Sequence, residues 1–312
     1  MQKSYVSFLE TLEPKNAAFI KSYSGIGDED YSKCTVETIK NVLIKIKPTS
    51  PRTITTICYF MTLYARYLNN PEMEKAIKDI DRNEVWDAIK EDVPPKFISY
   101  TKYEEVCKRV DMFEEHNSFY KRVLFQCIYE GIYNDDLSVI KNIRASDVQG
   151  NIVTLRSDYG KVRQMEIPEM LAKDLKQLGT FDTWERKHRY GTCNVSVVGQ
   201  YPDSCFKIEV RQGGKPTQYK HVFYRLLRNL SNEYVEYPLG PNCLYVSGLM
   251  YRICKNLEAA GFDAEKAFRE HNWNSNVANI IEKELSRCGY ESTIRTFKEF
   301  LRGHWDIFFD RI

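Results

Sequence analysis

The sequence predicts a mainly α fold in two parts: an all-helical N-terminal domain, then a mostly helical domain carrying a small antiparallel sheet. Three observations carry this. Apolar residues recur at helical spacing through the first ninety positions. A Pro-Pro pair without periodicity interrupts the chain at "EDVPPKFISY". After a further helical stretch, the period changes to alternation at "NIVTLRSDYGKVRQMEIP" before helix returns.

In "SYVSFLETL", Tyr5, Phe8, Leu9 and Leu12 share one helical face, and in "VETIKNVLIKI" so do Val36, Ile39, Leu43 and Ile46. "TSPRTITTICYFMTLYARYL" opens with Ser50 as N-cap and Pro51 at the first helical position, where its missing N–H costs nothing. Ile54, Ile57, Cys58, Met61, Ala65 and Leu68 form its buried stripe, and "EVWDAI" is a further helix. The boundaries expected are a helical domain over 1–92, a linker over 93–100 and a second domain over 101–312. There "TKYE" reads as a capping box with Thr101 as cap and Glu104 reaching back. Helices are expected over 101–114, 117–131 and 136–144. A hairpin follows, with Ile152, Met165 and Ile167 on strands and "SDYGK" at the turn, then a helix at "PEMLAKDLKQL". Short strands are expected at "NVSVV" and "CFKIEV", and helices at "YKHVFYRLLRNLSN" and "LYVSGLMYRICKNLEAAG".

Of the 312 residues, 43% are hydrophobic and 28% charged, ordinary globular values that leave little room for long disordered tracts. No apolar run approaches the ~20 residues that span a bilayer, and "MQKSYVSFLE" lacks a signal-peptide layout. Nine cysteines at irregular spacing, with no CxxC, read as reduced thiols in a cytoplasmic protein. Five dispersed histidines give no support for a metal site, and no cofactor is expected. The net charge of +2 hides an uneven distribution. From Lys33 to Arg66 six basic residues face one acid, Glu37; from Arg186 to Arg228 nine face Asp203 and Glu209. Two basic stretches on a near-neutral chain suit a polyanion held at two places, although the charge pattern taken alone is better read as a solvated surface.

"YEGIYNDDLSVIKNIRASDVQGNIVTL" follows the pattern Y-x-G-[LI]-R-x-x-E-L, a short helix, and an S-D-[IV] lead into a hairpin, with Tyr129, Gly131, Ile132, Leu137, Ser146 and Asp147 matching. Together with "KPTSPRTITTICYFMTLYARYLNNPE" and "SYTKYEEV", this resembles the tyrosine recombinase (phage integrase) family along nearly the whole chain. The resemblance implies an N-terminal core-binding (SAM-like) domain and an integrase-like catalytic-type domain. It also implies where catalytic groups should lie, and there the sequence departs. Tyr133 stands in the place of the first arginine and Asp136 in that of a glutamate. In "YVSGLMYRI", Ser247 and Met250 stand at the family's histidine and second arginine. In "SRCGYESTIRTFKEFLR", Tyr290 stands at the later histidine, and the nucleophile's place falls near Glu299 or Phe300. Only Lys161 is a possible retained match, to the family's hairpin lysine. Two arginines grip a scissile phosphate through their planar forks in such chemistry, so the sequence implies a degenerate, catalytically inactive fold and not an enzyme.

Among integrase-like proteins, the chain is most similar to the repressors of SP-beta-type prophages. That likeness implies sequence-specific binding of double-stranded DNA at repeated operator elements to maintain lysogeny, with the protein on the nucleoid of a bacterial host. The alternatives are a divergent active recombinase, recruiting Tyr290 with Arg252 or Arg295, or an accessory DNA-binding factor for recombination. The DNA-binding candidates in the first domain are Lys45, Lys47, Arg52, Thr53 and Thr55, near a helix start whose exposed N–H groups suit a phosphate. In the second they are Arg144, Lys161 and Arg163 around the hairpin, and Lys215, Lys220, Arg225 and Arg228. In the helix at 219–230, Val222, Phe223, Leu226, Leu227 and Leu230 make the buried face and the cations lie outside it. An intramolecular salt bridge is the plain alternative for Arg225 or Arg228. Tyr159, Tyr219 and Tyr224 are aromatic candidates. The tail "GHWDIFFDRI" offers self-association or packing onto its own domain.

Overall fold

The computed structural model describes residues 5–90, 92, 97–111, 116–188, 191–209, 218–235, 237, 239–269, 273–290 and 293–302. The chain divides into two compact units, the first covering Met1–Pro94 and the second beginning at Pro95.

The first unit is helical: α1 (Tyr5–Leu9), α2 (Pro14–Lys21), α3 (Val36–Ile46), α4 (Pro51–Leu68), α5 (Pro71–Asp79) and α6 (Arg82–Ile89). Its helices begin where side chains can take the place of missing intrahelical acceptors. Thr35 and Thr38 form a reciprocal capping box on α3. The Ser50 hydroxyl accepts from the Thr53 N–H at 3.1 Å, with Pro51 at the first position of α4. Asn70 and Asp81 cap α5 and α6 in the same way. The expected stripe of α4 is buried at Ile54, Ile57, Cys58, Met61 and Ala65, as are Ile39 and Leu43 of α3, and α5 and α6 pack against both helices. Val36 is 38% exposed instead, and Leu12 falls beyond the end of α1.

The second unit comprises α7 (Tyr100–Asp111), α8 (His116–Tyr129), α9 (Ser138–Lys141), β1 (Val148–Gln149), β2 (Ile152–Arg156), β3 (Val162–Glu166), α10 (Glu169–Gly179), β4 (Thr183–His188), β5 (Gly191–Val198), β6 (Ile208–Glu209), α11 (Tyr219–Leu230), α12 (Pro241–Ala259), α13 (Ala264–Arg269), α14 (Ser275–Cys288) and α15 (Ile294–Arg302). At its centre is α8. Tyr120, Val123, Leu124, Phe125, Cys127 and Ile128 are all buried, because α7, α10, α11 and α12 pack around the helix, and its buried Arg122 pairs with Asp174 of α10 at 2.7 Å. Tyr103 of α7 stacks on Tyr129 at 3.8 Å. Two three-stranded antiparallel sheets, β1-β2-β3 and β4-β5-β6, complete a mainly α fold. In the hairpin, Val153 pairs with Met165 and Leu155 with Arg163; Val153, Leu155 and Met165 face the core.

Four local expectations need correcting. The cap of α7 is Ser99, whose hydroxyl accepts from the Lys102 N–H at 3.2 Å; Thr101 lies inside the helix and Glu104 accepts from the Tyr100 hydroxyl. The helix expected over 136–144 shrinks to the single turn of α9. Leu137 adopts a left-handed conformation (φ 59°), and Asn134 and Asp136 satisfy the N–H groups of Val139 and Ser138 locally. Ile152 points outward at 43% exposure. The strand β4 was not expected, because "TWERKH" is too polar to show an apolar alternation. Among the described residues, no helix is long and apolar enough to cross a membrane, and no cluster of His, Cys, Asp and Glu could hold a metal. All nine cysteines are free thiols.

Candidate nucleic-acid interface

The motif "YEGIYNDDL" opens onto a groove of about 1120 Å³ in the second unit. Tyr133, Asn134, Asp135 and Asp136 from the turn after α8 line it, with Ser157, Tyr159, Lys161 and Arg163 of the hairpin. Asn242 and Tyr245 of α12, and Gly289 and Tyr290 after α14, complete its wall. A second cavity of about 520 Å³ lies between the start of α7, α12 and α13, lined by Ser247 and Met250 among others. The groove brings together Tyr133, Asp136, Lys161 and Tyr290 of the positions the resemblance singled out, with Arg163 and Tyr159.

The turn depends on how the last carbonyls of α8 are satisfied. Gly131 has φ 98°, and a Cβ there would meet the Cys288 sulfur at 2.5 Å. The carbonyls of Tyr129, Glu130 and Gly131 have no partner further along the helix. Three arginines from distant segments donate to them: Arg252 to Tyr129, Arg287 to Glu130 at 3.1 Å, and Arg163 to Gly131 at 3.0 Å. Cations at a helix C-terminus also oppose its negative dipole end. Glu284 links two of them, accepting from Arg252 at 2.6 Å and Arg287 at 2.9 Å. Burial pushes the Glu284 carboxyl up, but the bonds and charges of Arg287 and Arg252 outweigh it and hold the group below its usual range. Glu130, 3.5 Å from Arg252, is pushed up by burial.

This network corrects two expectations. Arg163 is half-buried, not exposed at the hairpin turn. Its guanidinium donates to the carbonyls of Arg287 (2.6 Å) and Gly131, and burial pulls its pKa down. Arg252, the candidate for re-aiming at a phosphate, is committed inside the protein to Tyr129, Glu130 and Glu284.

The aromatic residues do come together in the groove. Tyr133 stacks on Tyr245 at 4.9 Å and 28°, and Tyr245 lies 6.4 Å from Tyr290 at 15°. Burial, then neighbouring phenols and acids, pushes the Tyr133 hydroxyl well above its ordinary range; burial does the same to Tyr245. Both stay protonated at neutral pH and present hydrogen-bond donors. Lys161 is exposed on the hairpin turn, where its N–H donates to Ser157. Ser247 and Met250 are outside the groove. The Ser247 hydroxyl accepts from the Ile98 N–H and donates to the Cys243 carbonyl, and Met250 is in the core. Phe300 lies in α15, stacked on Phe297. Arg295 is exposed and paired with Glu299.

The cationic candidates divide by partner. Lys45 pairs with Glu29 at 2.9 Å and Lys47 with Asp92 at 2.8 Å, which holds the Asp92 carboxyl down. Arg52 is exposed at the start of α4, where Ser50 already occupies the Thr53 N–H, and the Thr55 hydroxyl donates to Pro51. Arg144 pairs with Asp147 and lies over the Tyr201 ring at 4.7 Å. On α11, by contrast, Lys220, Arg225 and Arg228 are all exposed, while Val222, Phe223, Leu227 and Leu230 are buried behind them. Lys220 lies 5.8 Å from the Tyr224 ring, and among the described residues none of the three cations is ion-paired. Lys215 and the tail residues Trp305, Ile307, Phe308 and Phe309 lie outside the described residues. Tyr245 and Arg287 escaped the sequence reading, because their roles come from neighbours more than a hundred residues away.

No family model matches the chain, and no curated protein matches it. Among solved structures it is similar to the XerH site-specific recombinase bound to difH substrate in a pre-cleavage complex, with 10% identity and TM-score 0.40 over 95% of this chain and 88% of that one. It is also similar to the XerH recombinase bound to palindromic difH substrate in a post-cleavage complex, with 11% identity and TM-score 0.35 over 95% of this chain and 100% of that one. Both of those structures are of recombinases, and the expectation that this chain is not an enzyme is withdrawn against them.

Proposed function

We propose that this chain binds double-stranded DNA in a sequence-selective way and serves as a prophage repressor, acting at repeated operator elements in the cytoplasm of a bacterial lysogen. In this reading residues 1–92 form a core-binding domain, 93–100 a linker and 101–312 a tyrosine-recombinase-like domain. The observation that carries DNA binding is α11, whose exposed Lys220, Arg225 and Arg228 make one cationic face without ion-pair partners among the described residues. An amphipathic helix of this kind suits phosphate contact, and arginine can also pair with guanine in a major groove. The sequence resemblance of "YEGIYNDDLSVIKNIRASDVQGNIVTL" to integrases supports the architecture, and the likeness to SP-beta-type prophage repressors supports the role. The Arg252 network weighs against the divergent-recombinase alternative in the form that re-aims Arg252.

Genome-wide occupancy in a lysogen tests both halves together. Binding at many promoters through a shared sequence element is the expected outcome. Occupancy confined to attachment sites would replace the repressor with an accessory factor for recombination, and scattered occupancy with no shared element would refute sequence selectivity.

A further inference from the structure

The groove beside the motif turn is an aromatic site with few cations aimed into it. Of its two hairpin cations, Arg163 turns its guanidinium toward the carbonyls of Gly131 and Arg287, leaving Lys161 at the rim. Four tyrosines line it instead. Tyr133, Tyr245 and Tyr290 form a series of near-parallel rings, and Tyr159 sits on the hairpin turn at 80% exposure. Asn242 and Asp135, both exposed, add an amide and a carboxylate. A phosphate alone would make poor use of such a wall. A planar heteroaromatic ring would use all of it: faces for stacking, an amide and a carboxylate for its polar edge, and a lysine for an attached phosphate. At about 1120 Å³ the groove is roomier than the ~300–1,000 Å³ common for small-ligand pockets, so a nucleotide still joined to its strand can enter.

The geometry points to this groove as the binding site for an unpaired base of a DNA strand, stacked against the Tyr133–Tyr245 pair with Tyr159 closing over it. The inference rests on the DNA-binding reading above and adds to it a preference for distorted or extruded bases. Unstacking costs least where pairing is already lost, so the site should favour such positions.

Two synthetic duplexes test this on the full chain, differing only in whether one 2-aminopurine is paired with thymine or bulged. The bulged duplex is expected to bind tighter by roughly 5- to 150-fold, the range that stacking of one base supplies. The 2-aminopurine fluorescence is expected to fall on binding. Tyr133→Ala and Tyr159→Ala are each expected to lose that preference and Tyr133→Phe to keep it, the preference being read in every variant as the ratio of its affinities for the bulged and the paired duplex. Tyr159→Ala, on an exposed turn, keeps the test independent of folding. Equal binding of the two duplexes overturns the base site and leaves DNA binding standing. Tight binding of free 2-aminopurine nucleotide without discrimination between the duplexes overturns the strand as its source. Failure to bind either duplex overturns the DNA reading, and this inference with it.

Discussion

Replacing Arg252 with methionine should destabilise the second unit heavily, because one guanidinium serves three buried partners. Its side chain is 13% exposed, Glu284 5% and Glu130 17%, so little solvent is at hand to take over. Methionine roughly fills the volume but leaves two carboxylates and the Tyr129 carbonyl short of a donor. Removing one partner of a buried ion pair costs about 3–5 kcal/mol. For a unit of this size each kcal/mol lowers Tm by ~2–4 °C, so a fall of roughly 6–20 °C is expected. The effect should also depend on pH with a definite sign. The carboxyl of Glu284 is held below its ordinary 4.5 in the folded state, so it adds stability above that value and loses it as pH falls through the folded one. Without Arg252 that contribution disappears, and protonation relieves the stranded charge. The deficit of Arg252→Met should therefore be largest at neutral pH and narrow below about 4.5. Urea denaturation followed by circular dichroism at pH 7 and pH 4 measures it. A variant within 1 kcal/mol of the natural chain at pH 7, or a deficit equal at both pH values, would refute the network.

Four further predictions probe other parts of the protein. Gly248→Ala would place a Cβ 1.8 Å from the Tyr129 carbonyl oxygen, forcing α12 away from α8; a loss of at least ~1–3 kcal/mol is expected by urea denaturation. Gly131→Ala combines φ 98° with a clash against Cys288 and should likewise unfold at lower temperature while disturbing the groove, seen as weakened duplex binding. Lys220→Ala, Arg225→Ala and Arg228→Ala should each reduce the slope of log K against log salt by ~0.9 if the residue meets a phosphate; an unchanged slope for all three would remove α11 from the interface. Ser50→Ala removes the cap of α4 and should cost about 1 kcal/mol in thermal stability without changing duplex affinity.

Much of the framework was legible because it is written in local chemistry. Ser50 and Pro51 mark the start of α4 whatever surrounds them, and the alternation around "SDYGK" fixes the β2–β3 hairpin by its period alone. Where local signals competed, reading failed. Thr101 resembled a cap, but Ser99 lies nearer the helix start; the 136–144 segment looked helical, yet Asn134 and Asp136 satisfy its first N–H groups and hold it to one turn. Of the positions that the resemblance pointed to, Tyr133, Lys161 and Tyr290 line one groove, while Ser247 and Met250 line another cavity and Phe300 lies in α15.

The sequence by itself thus determined the mainly helical class, the caps and hairpin, and the unusual residues that surround the motif turn. Only the tertiary structure decided what the arginines do. Arg163, Arg252 and Arg287 lie between 32 and 157 residues from the carbonyls they serve, so no window of sequence contains the pairing. A guanidinium on a surface and one buried against a helix end are the same letter. What separates them is whether folding brings unsatisfied carbonyls within reach, since a buried polar group left without a partner costs more than a solvated one.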